Sequence, residues 1–107
     1  MIVRADSQGY RQVLEGVLLK TLVHGEHTLL TEVRLEKGAV VPEHQHPQEQ
    51  TGYLISGSLR FFSGDEEHIA RPGDSWNLTG GFAHGAEALE DSEVIECFAP
   101  MRPEYAD

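Results

Sequence analysis

The sequence predicts an all-β fold, either a sandwich or a barrel of short strands. Eleven glycines divide the 107 residues into short pieces, and those pieces are rich in Val, Leu, Ile, Thr, Phe and Tyr. Short β-forming segments separated by turn residues are typical of sandwiches and barrels. No segment keeps an apolar period of about 3.6 residues over three turns, which argues against a helical core. The length corresponds to one domain.

Ten strands are predicted from these segments, taken in chain order. Their β-branched and aromatic residues suit a pleated, half-buried surface, and turn-forming residues separate them. The predicted strands are Gln12–Leu14, Val17–Val23, Thr28–Leu35, Ala39–Glu43, Gln50–Ser56, Leu59–Ser63, Glu66–Ala70, Asp74–Leu78, His84–Ala88 and Ser92–Ala99.

Specific turn residues mark several of the connections. Gly57-Ser58 suits a two-residue hairpin turn with positive φ. Glu36-Lys37-Gly38 and Ser63-Gly64-Asp65 form two more hairpin turns, and in Pro72-Gly73-Asp74 the proline presets φ while the glycine takes the left-handed position. The prolines of Pro100–Pro103 cannot continue a ladder, so the last strand ends before them.

Charge and cysteine content limit the partners and the compartment. Eighteen acidic residues against eight basic ones give a net charge of -10, which repels nucleic-acid phosphates and anionic lipid surfaces. No apolar run is long enough to span a membrane, and residues 1–6 lack the apolar region of a signal peptide. Cys97 is the single cysteine, so no intramolecular disulfide forms and a reducing, cytoplasmic location is expected.

Two histidines separated by one residue suggest a metal site. His44 and His46 would lie on one face of an extended segment, with Cα atoms about 6.5 Å apart. Two imidazoles at that spacing can reach one ion at about 2.0–2.1 Å each. Because the chain bends at Pro47, the argument from alternating faces weakens beyond that point.

Two further residues complete a candidate ligand set. Side chains alternate between the two faces of a strand, so Gln50 should lie on the same face as His44 and His46, whereas Glu49 should face outward. His84 opens a later strand after a Gly-Gly turn. Three neutral imidazoles and one side-chain oxygen would bind a first-row divalent ion and leave positions for water or substrate. Two alternatives remain open: Gln50 beside the ion with water completing the shell, or Glu49 as ligand through a bulge.

The chain resembles the cupin superfamily over nearly its whole length. The first cupin motif, Gly-x5-His-x-His-x3/4-Glu-x6-Gly, corresponds to five residues here, with Gln in place of Glu. The second, Gly-x5-Pro-x-Gly-x2-His-x3-Asn, also corresponds to five, with Thr for Pro and Ala for Asn. The corresponding residues are Gly38, His44, His46, Gln50 and Gly57 for the first motif, and Gly73, Thr79, Gly81, His84 and Ala88 for the second.

This resemblance implies a double-stranded β-helix, the jelly-roll barrel of RmlC-like cupins, forming one domain over residues 1–107. Residues 1–10 would be an N-terminal arm, residues 11–100 the barrel and residues 101–107 a C-terminal tail. The implied cofactor is a divalent transition metal (Ni, Zn, Fe, Mn or Cu) held by His44, His46, Gln50 and His84. Small single-domain cupins are often homodimers, and Arg11–Val23 is the candidate segment for pairing through an exposed edge.

A narrower resemblance is to the small pectin-degradation cupins, which linearise 4,5-unsaturated uronate monosaccharides. It is carried by residues 44–53, 86–92 and 98–105. In that group Gln is the expected fourth ligand. The resemblance implies Glu96 as acid and base, where the family has Asp, Phe98 against the sugar ring, and Arg102 on the substrate carboxylate. Each also has an ordinary interpretation: a half-buried acid, a core aromatic and a surface salt-bridge residue.

Two other functions fit the same motifs. A three-histidine site could bind O2 and a chelating diol or enol in a metal-dependent dioxygenase. The domain could also bind a small molecule without catalysis. Of the remaining residues of interest, His24 and His27 are interpreted as a solvated hairpin, His68 as a solvated strand residue and Cys97 as a buried residue behind the last strand.

Overall fold

The computed structural model describes residues 1–106, and they form the predicted all-β fold. Each predicted strand is confirmed to within one residue at either end. A 3-10 turn at Pro103–Tyr105 follows the last strand. The strands are β1 (Arg11–Leu14), β2 (Val17–His24), β3 (Leu29–Leu35), β4 (Val40–His44), β5 (Glu49–Ser56), β6 (Leu59–Ser63), β7 (Glu66–Ala70), β8 (Ser75–Leu78), β9 (His84–Ala88) and β10 (Ser92–Ala99).

The strands form two antiparallel sheets that face each other as a jelly roll. One has the order β1-β2-β3-β10-β5-β8 and the other β4-β9-β6-β7. The edge strands of the two sheets lie next to each other at two places, β1 beside β4 and β7 beside β8. Each of these places is called a seam below. Within residues 1–106 no helix is long and apolar enough to cross a membrane.

Alternation along the strands builds the core. In β5 the side of Gln50, Gly52 and Leu54 is buried and the opposite side is exposed, as expected for a half-buried strand. Leu54 packs in a cluster with Val17, Leu35 and other apolar residues from both sheets. The buried polar residues Gln50, His46 and His84 are part of the candidate metal centre described below.

The predicted turn at residues 57–58 has the expected geometry. Gly57 has φ of 95°, in the left-handed region that glycine adopts without a steric cost. A Cβ at this position would also lie 2.2 Å from the hydroxyl oxygen of Ser92. The backbone N–H of Ser58 donates to that same hydroxyl at 3.1 Å. The hairpin therefore requires glycine for both conformation and space.

Two expectations need correction. Cys97 is only partly buried, because it lies on the outer side of β10, opposite Leu30 and Thr51. Of the segment Arg11–Val23, only β1 has a free edge, because β2 is already paired with β1 on one side and β3 on the other.

Candidate metal centre

Three histidines from two separate parts of the chain converge inside the barrel. His44 ends β4, His84 opens β9, and the two are paired in register. His46 lies in the loop after β4 rather than on the strand. One potential ligand atom from each of the three lies within 4.8 Å of the other two. His46 and His84 are buried, so the group can hold a metal ion away from bulk solvent.

The close approach of two loops brings His46 to the cluster. The backbone N–H of Gly81 donates to the carbonyl oxygen of His46 at 2.8 Å. A Cβ on Gly80 would lie 2.2 Å from the carbonyl oxygen of Pro47, so only glycine fits there. The Gly-Gly turn before β9 therefore positions the loop that carries His46, even though His46 has left the strand.

Backbone carbonyls fix the tautomers of two of the histidines. Nδ1 of His44 lies 2.9 Å from the carbonyl oxygen of Pro42, and Nδ1 of His84 lies 2.9 Å from that of Phe82. A carbonyl oxygen only accepts, so Nδ1 must carry the hydrogen, and in the neutral ring Nε2 keeps its lone pair. Nε2 of His84 is buried without a hydrogen-bond partner, which fits a metal ligand.

Gln50 joins the cluster through its amide oxygen. Its Oε1 lies 3.1 Å from Nε2 of His46, and its Nε2 donates to the carboxylate of Glu96. Because a carboxylate accepts the amide N–H, the oxygen of Gln50 must point toward the histidines. Glu49 is exposed, as expected, and accepts a hydrogen bond from Asn77 at 2.8 Å.

Burial favours the neutral form of His46 and His84. Desolvation is the largest cause that lowers the pKa of both His46 and His84, because a buried site disfavours the charged imidazolium. The positive charge of Arg102 lowers the pKa of both further. Neutral imidazoles are the form that binds metal ions, so the site is prepared for a cation near neutral pH.

Glu96 lies behind Gln50, and its position follows from strand pairing. It is opposite Gly52 on β5, which in turn is opposite Trp76 on β8. Trp76 occupies the space that a side chain at Gly52 would fill and donates from Nε1 to Glu96 at 3.4 Å. Desolvation raises the pKa of Glu96, and the hydrogen bonds from Gln50 and Trp76 oppose that shift. The carboxyl group is therefore able to hold a proton closer to neutral pH than a solvated Glu.

A cavity of about 370 Å³ opens beside this cluster and contains the other predicted site residues. The guanidinium carbon of Arg102 lies 5.3 Å from the ring centre of Phe98 and 4.5 Å from that of Tyr105. Arg102 donates to Glu104 at 3.0 Å, yet its Nε is buried without a partner. The cavity also reaches His44. It therefore combines a candidate cation site, a buried acid and a fixed positive charge.

Sequence reasoning missed two contributors to this site. Trp76 belongs to neither cupin motif, yet it donates from Nε1 to Glu96. Tyr105 lies within the stretch that carries the resemblance to the pectin-degradation cupins, and that resemblance implies no role for it. It lines the cavity, and its carbonyl accepts a hydrogen bond from Thr21 that anchors the tail. His24, His27 and His68 belong to no cluster of three or more potential ligands within residues 1–106.

Comparisons with known proteins agree with this architecture. The profile of the Cupin domain family matches residues 31–98. Oxalate decarboxylase OxdC of Bacillus subtilis (strain 168) is 29% identical over 93 residues, which are 82% of this chain and 23% of that protein. The chain thus spans about a quarter of the length of this curated relative.

Solved structures extend the match to the whole fold. KdgF from Halomonas sp. superposes with a TM-score of 0.91 and 30% identity, covering 99% of this chain and 100% of that one. An RmlC-like cupin from Shewanella frigidimarina NCIMB 400 shares the fold with a TM-score of 0.90 at 19% identity, covering 98% and 95% of the two chains. The family profile, the jelly roll and the His-x-His segment together show that this chain belongs to the cupin family.

Proposed function

We propose that this cupin is a metal-dependent enzyme that linearises 4,5-unsaturated uronate monosaccharides. The observation that carries the proposal is one cavity lined by Glu96 and Arg102 together with two members of the candidate ligand set, His44 and Gln50. The resemblance of the sequence to the pectin-degradation cupins supports the same chemistry, and KdgF from Halomonas sp. is similar over the whole chain at 30% identity. The cavity volume of about 370 Å³ falls within the usual range for small-molecule sites.

We assign four neutral ligands to the ion: His44, His46, Gln50 and His84. The expected ion is a divalent transition metal, and Ni, Zn, Fe, Mn and Cu all suit imidazole and amide oxygen. A bound ion would act as a Lewis acid toward an oxygen of the sugar. Because none of the four ligands is anionic, its dipositive charge would favour an anionic or oxygen-rich substrate.

Arg102 is assigned to the substrate carboxylate. Its guanidinium is held over the rings of Phe98 and Tyr105, which restricts its motion, and a guanidinium fork matches a carboxylate with two parallel hydrogen bonds. The contact with Glu104 occupies one of its nitrogens, so a substrate carboxylate would compete with Glu104. Phe98 is buried beneath the guanidinium and forms the wall against which the sugar ring would pack.

Glu96 is assigned to proton transfer. Ring opening breaks the bond between the anomeric carbon and the ring oxygen; the anomeric hydroxyl loses its proton and the ring oxygen gains one. The resulting enol then loses its hydroxyl proton while the neighbouring alkene carbon gains one, which gives the ketone. A carboxyl group whose pKa is raised by burial can give and take these protons near neutral pH.

The proposal is tested on the full chain with its native metal content. Mass spectrometry of untagged protein identifies the ion, and loss of the ultraviolet absorbance of an unsaturated uronate measures turnover. We expect turnover by the parent protein and its loss in Glu96→Gln, which keeps the size but cannot cycle a proton. Turnover equal to the parent in that variant would remove Glu96 from the mechanism.

A metal-dependent dioxygenase is the second candidate, because three histidines within 4.8 Å of one another also suit redox-active iron or copper. It predicts oxygen uptake with an enol or diol substrate. A non-catalytic binding cupin predicts sugar affinity that survives metal removal, with no turnover. Oxygen consumption and turnover measured on one preparation separate the three functions.

We also propose that the chain is a cytoplasmic homodimer of a single domain, with residues 1–10 as an arm and 101–107 as a tail. Because β1 is a free edge of the six-stranded sheet, pairing of β1 with a second copy would satisfy its open backbone groups. Light scattering of the purified chain gives its mass in solution. A monomer at micromolar concentration would contradict this proposal.

A further inference from the structure

The seam between the two sheets at β7 and β8 contains a second cavity. The strands are the edges of different sheets and are joined by the turn at residues 71–74. The cavity has a volume of about 650 Å³ and shares no lining residue with the one that contains Arg102. It nevertheless includes His84. The histidine cluster therefore lies between two cavities, each at a separate seam of the barrel.

Polar side chains of β7 face this cavity. In the pairing of β6 with β7, Leu59 is opposite Ala70, and both are buried in the core, so this side of the strands is the inner one. Alternation puts His68 and Glu66 on the same inner side as Ala70. Both are exposed and line the cavity. Neither side chain makes a hydrogen bond or ion pair within residues 1–106, so both can bond to a ligand.

Aromatic side chains line the same cavity as these polar groups. The ring centres of Phe61 and Trp76 are 4.7 Å apart. Phe82, on the loop before β9, is 44% exposed, and its ring is within 15° of parallel to that of His84 at 6.5 Å. All four residues line the cavity. An exposed ring next to hydrogen-bonding groups is suited to a ligand that has both apolar faces and hydroxyl edges.

The lining of this cavity contains acidic side chains but no lysine or arginine. The acidic side chains are those of Glu66 and Asp74, and the chain has a net charge of -10. A carboxylate beside Glu66 would therefore be repelled, in contrast to one in the cavity that contains Arg102. We propose that the β7–β8 seam is a binding site for an uncharged sugar ring, which stacks on Phe82 and hydrogen-bonds to His68 and Glu66. The inference rests on the seam alone and does not depend on the proposed reaction.

The test uses the only tryptophan of the chain as the reporter, because Trp76 lines the seam. Methyl galactoside and galacturonate are titrated separately at millimolar concentrations while tryptophan fluorescence is recorded. The first probe is neutral and the second carries a carboxylate. We expect a saturable change with methyl galactoside that weakens roughly 2- to 10-fold in Phe82→Ala, the size of one lost aromatic contact. His68→Ala should weaken it as well.

Two controls make the result specific. Tyr53→Ala removes an aromatic ring of similar exposure, 49%, from the outer side of β5 and should leave the galactoside response unchanged. In Arg102→Ala, which lacks the cation of the other cavity, methyl galactoside should still give its response and galacturonate should give none. Amide shifts at residues 66–69 and 75–77, recorded by NMR on the same proteins, confirm that each variant is folded and locate the ligand.

Several outcomes would overturn the proposal. The first is the absence of a saturable response to methyl galactoside in the folded parent. The second is an equal loss of that response in Tyr53→Ala and Phe82→Ala. The third is a saturable response to phenol, an aromatic ring that is not a sugar, with none to methyl galactoside. Failure of uronate turnover would leave the galactoside titration unaffected, so the two proposals fail separately.

Discussion

Adding one methyl group at residue 52 tests the packing of Trp76, which donates to Glu96 behind the candidate metal centre. A Cβ at Gly52 would lie 2.2 to 2.5 Å from three atoms of the Trp76 indole, far inside contact distance. The ring cannot move away freely, because Phe61 packs on it with ring centres 4.7 Å apart. Overpacking of this kind costs about 1–3 kcal/mol. For a chain of this size each kcal/mol lowers the melting temperature by about 4–8 °C, so we expect Gly52→Ala to melt roughly 5–20 °C lower.

The control is another glycine of the same chain. Gly25 has no atom within 4 Å of a built Cβ and does not need a positive φ, so Gly25→Ala should melt within about 3 °C of the parent. The double variant Gly52→Ala with Trp76→Leu provides a smaller neighbour, so the added methyl should cost less there than in the parent background. Equal melting temperatures for Gly52→Ala and Gly25→Ala, or additive losses in the double variant, would refute the reasoning.

Three further predictions concern the cluster and the cavity. His46→Ala and His84→Ala should lose metal while the barrel still folds; elemental analysis that finds as much metal as in the parent would contradict the ligand assignment. Arg102→Ala should lower turnover of an unsaturated uronate more than that of a neutral analogue, and an equal loss on both substrates would remove its role. The metal-free protein should become less stable as the pH falls below about 6.5, the ordinary pKa of histidine. Burial lowers the pKa of His46 and His84 in the folded state. The unfolded chain therefore binds protons at a higher pH than the folded chain does, and this favours unfolding as the pH falls. The raised pKa of Glu96 has the opposite effect on stability above pH 4.5, because the folded state there keeps a proton that the unfolded chain has released. The measurement is the urea midpoint at pH 7.5 and at pH 5.5. The midpoint should fall less between these pH values in His84→Ala than in the parent.

Local patterns were enough to predict the strands and their turns. Gly57 and the Pro72-Gly73 turn specify conformations that few other residues adopt, and the alternation in β5 predicts which side is buried. The convergence of His44, His46 and His84 was also expected from spacing and family resemblance. The route differed, however, because His46 follows the end of β4, and its position depends on contact with a loop more than thirty residues later.

Features that depend on register between distant strands were not predictable from local patterns. The contact of Trp76 with Glu96 requires that Gly52 lie between them, and this alignment arises only when β8, β5 and β10 are paired. The partial exposure of Cys97 has the same origin, because alternation alone does not say what covers the outer side of β10. The role of Tyr105 depends on where the tail folds back across the barrel, anchored by Thr21.

The carbonyls of Pro42 and Phe82 that hold two imidazoles belong to the main chain. Replacing the side chain at residue 82 would leave its carbonyl in place, so the proton on His84 would stay on the same nitrogen. Substitutions at residue 82 could therefore change the ring that lines the β7–β8 cavity, and with it the ligand proposed there. They would leave Nε2 of His84 able to bind a cation.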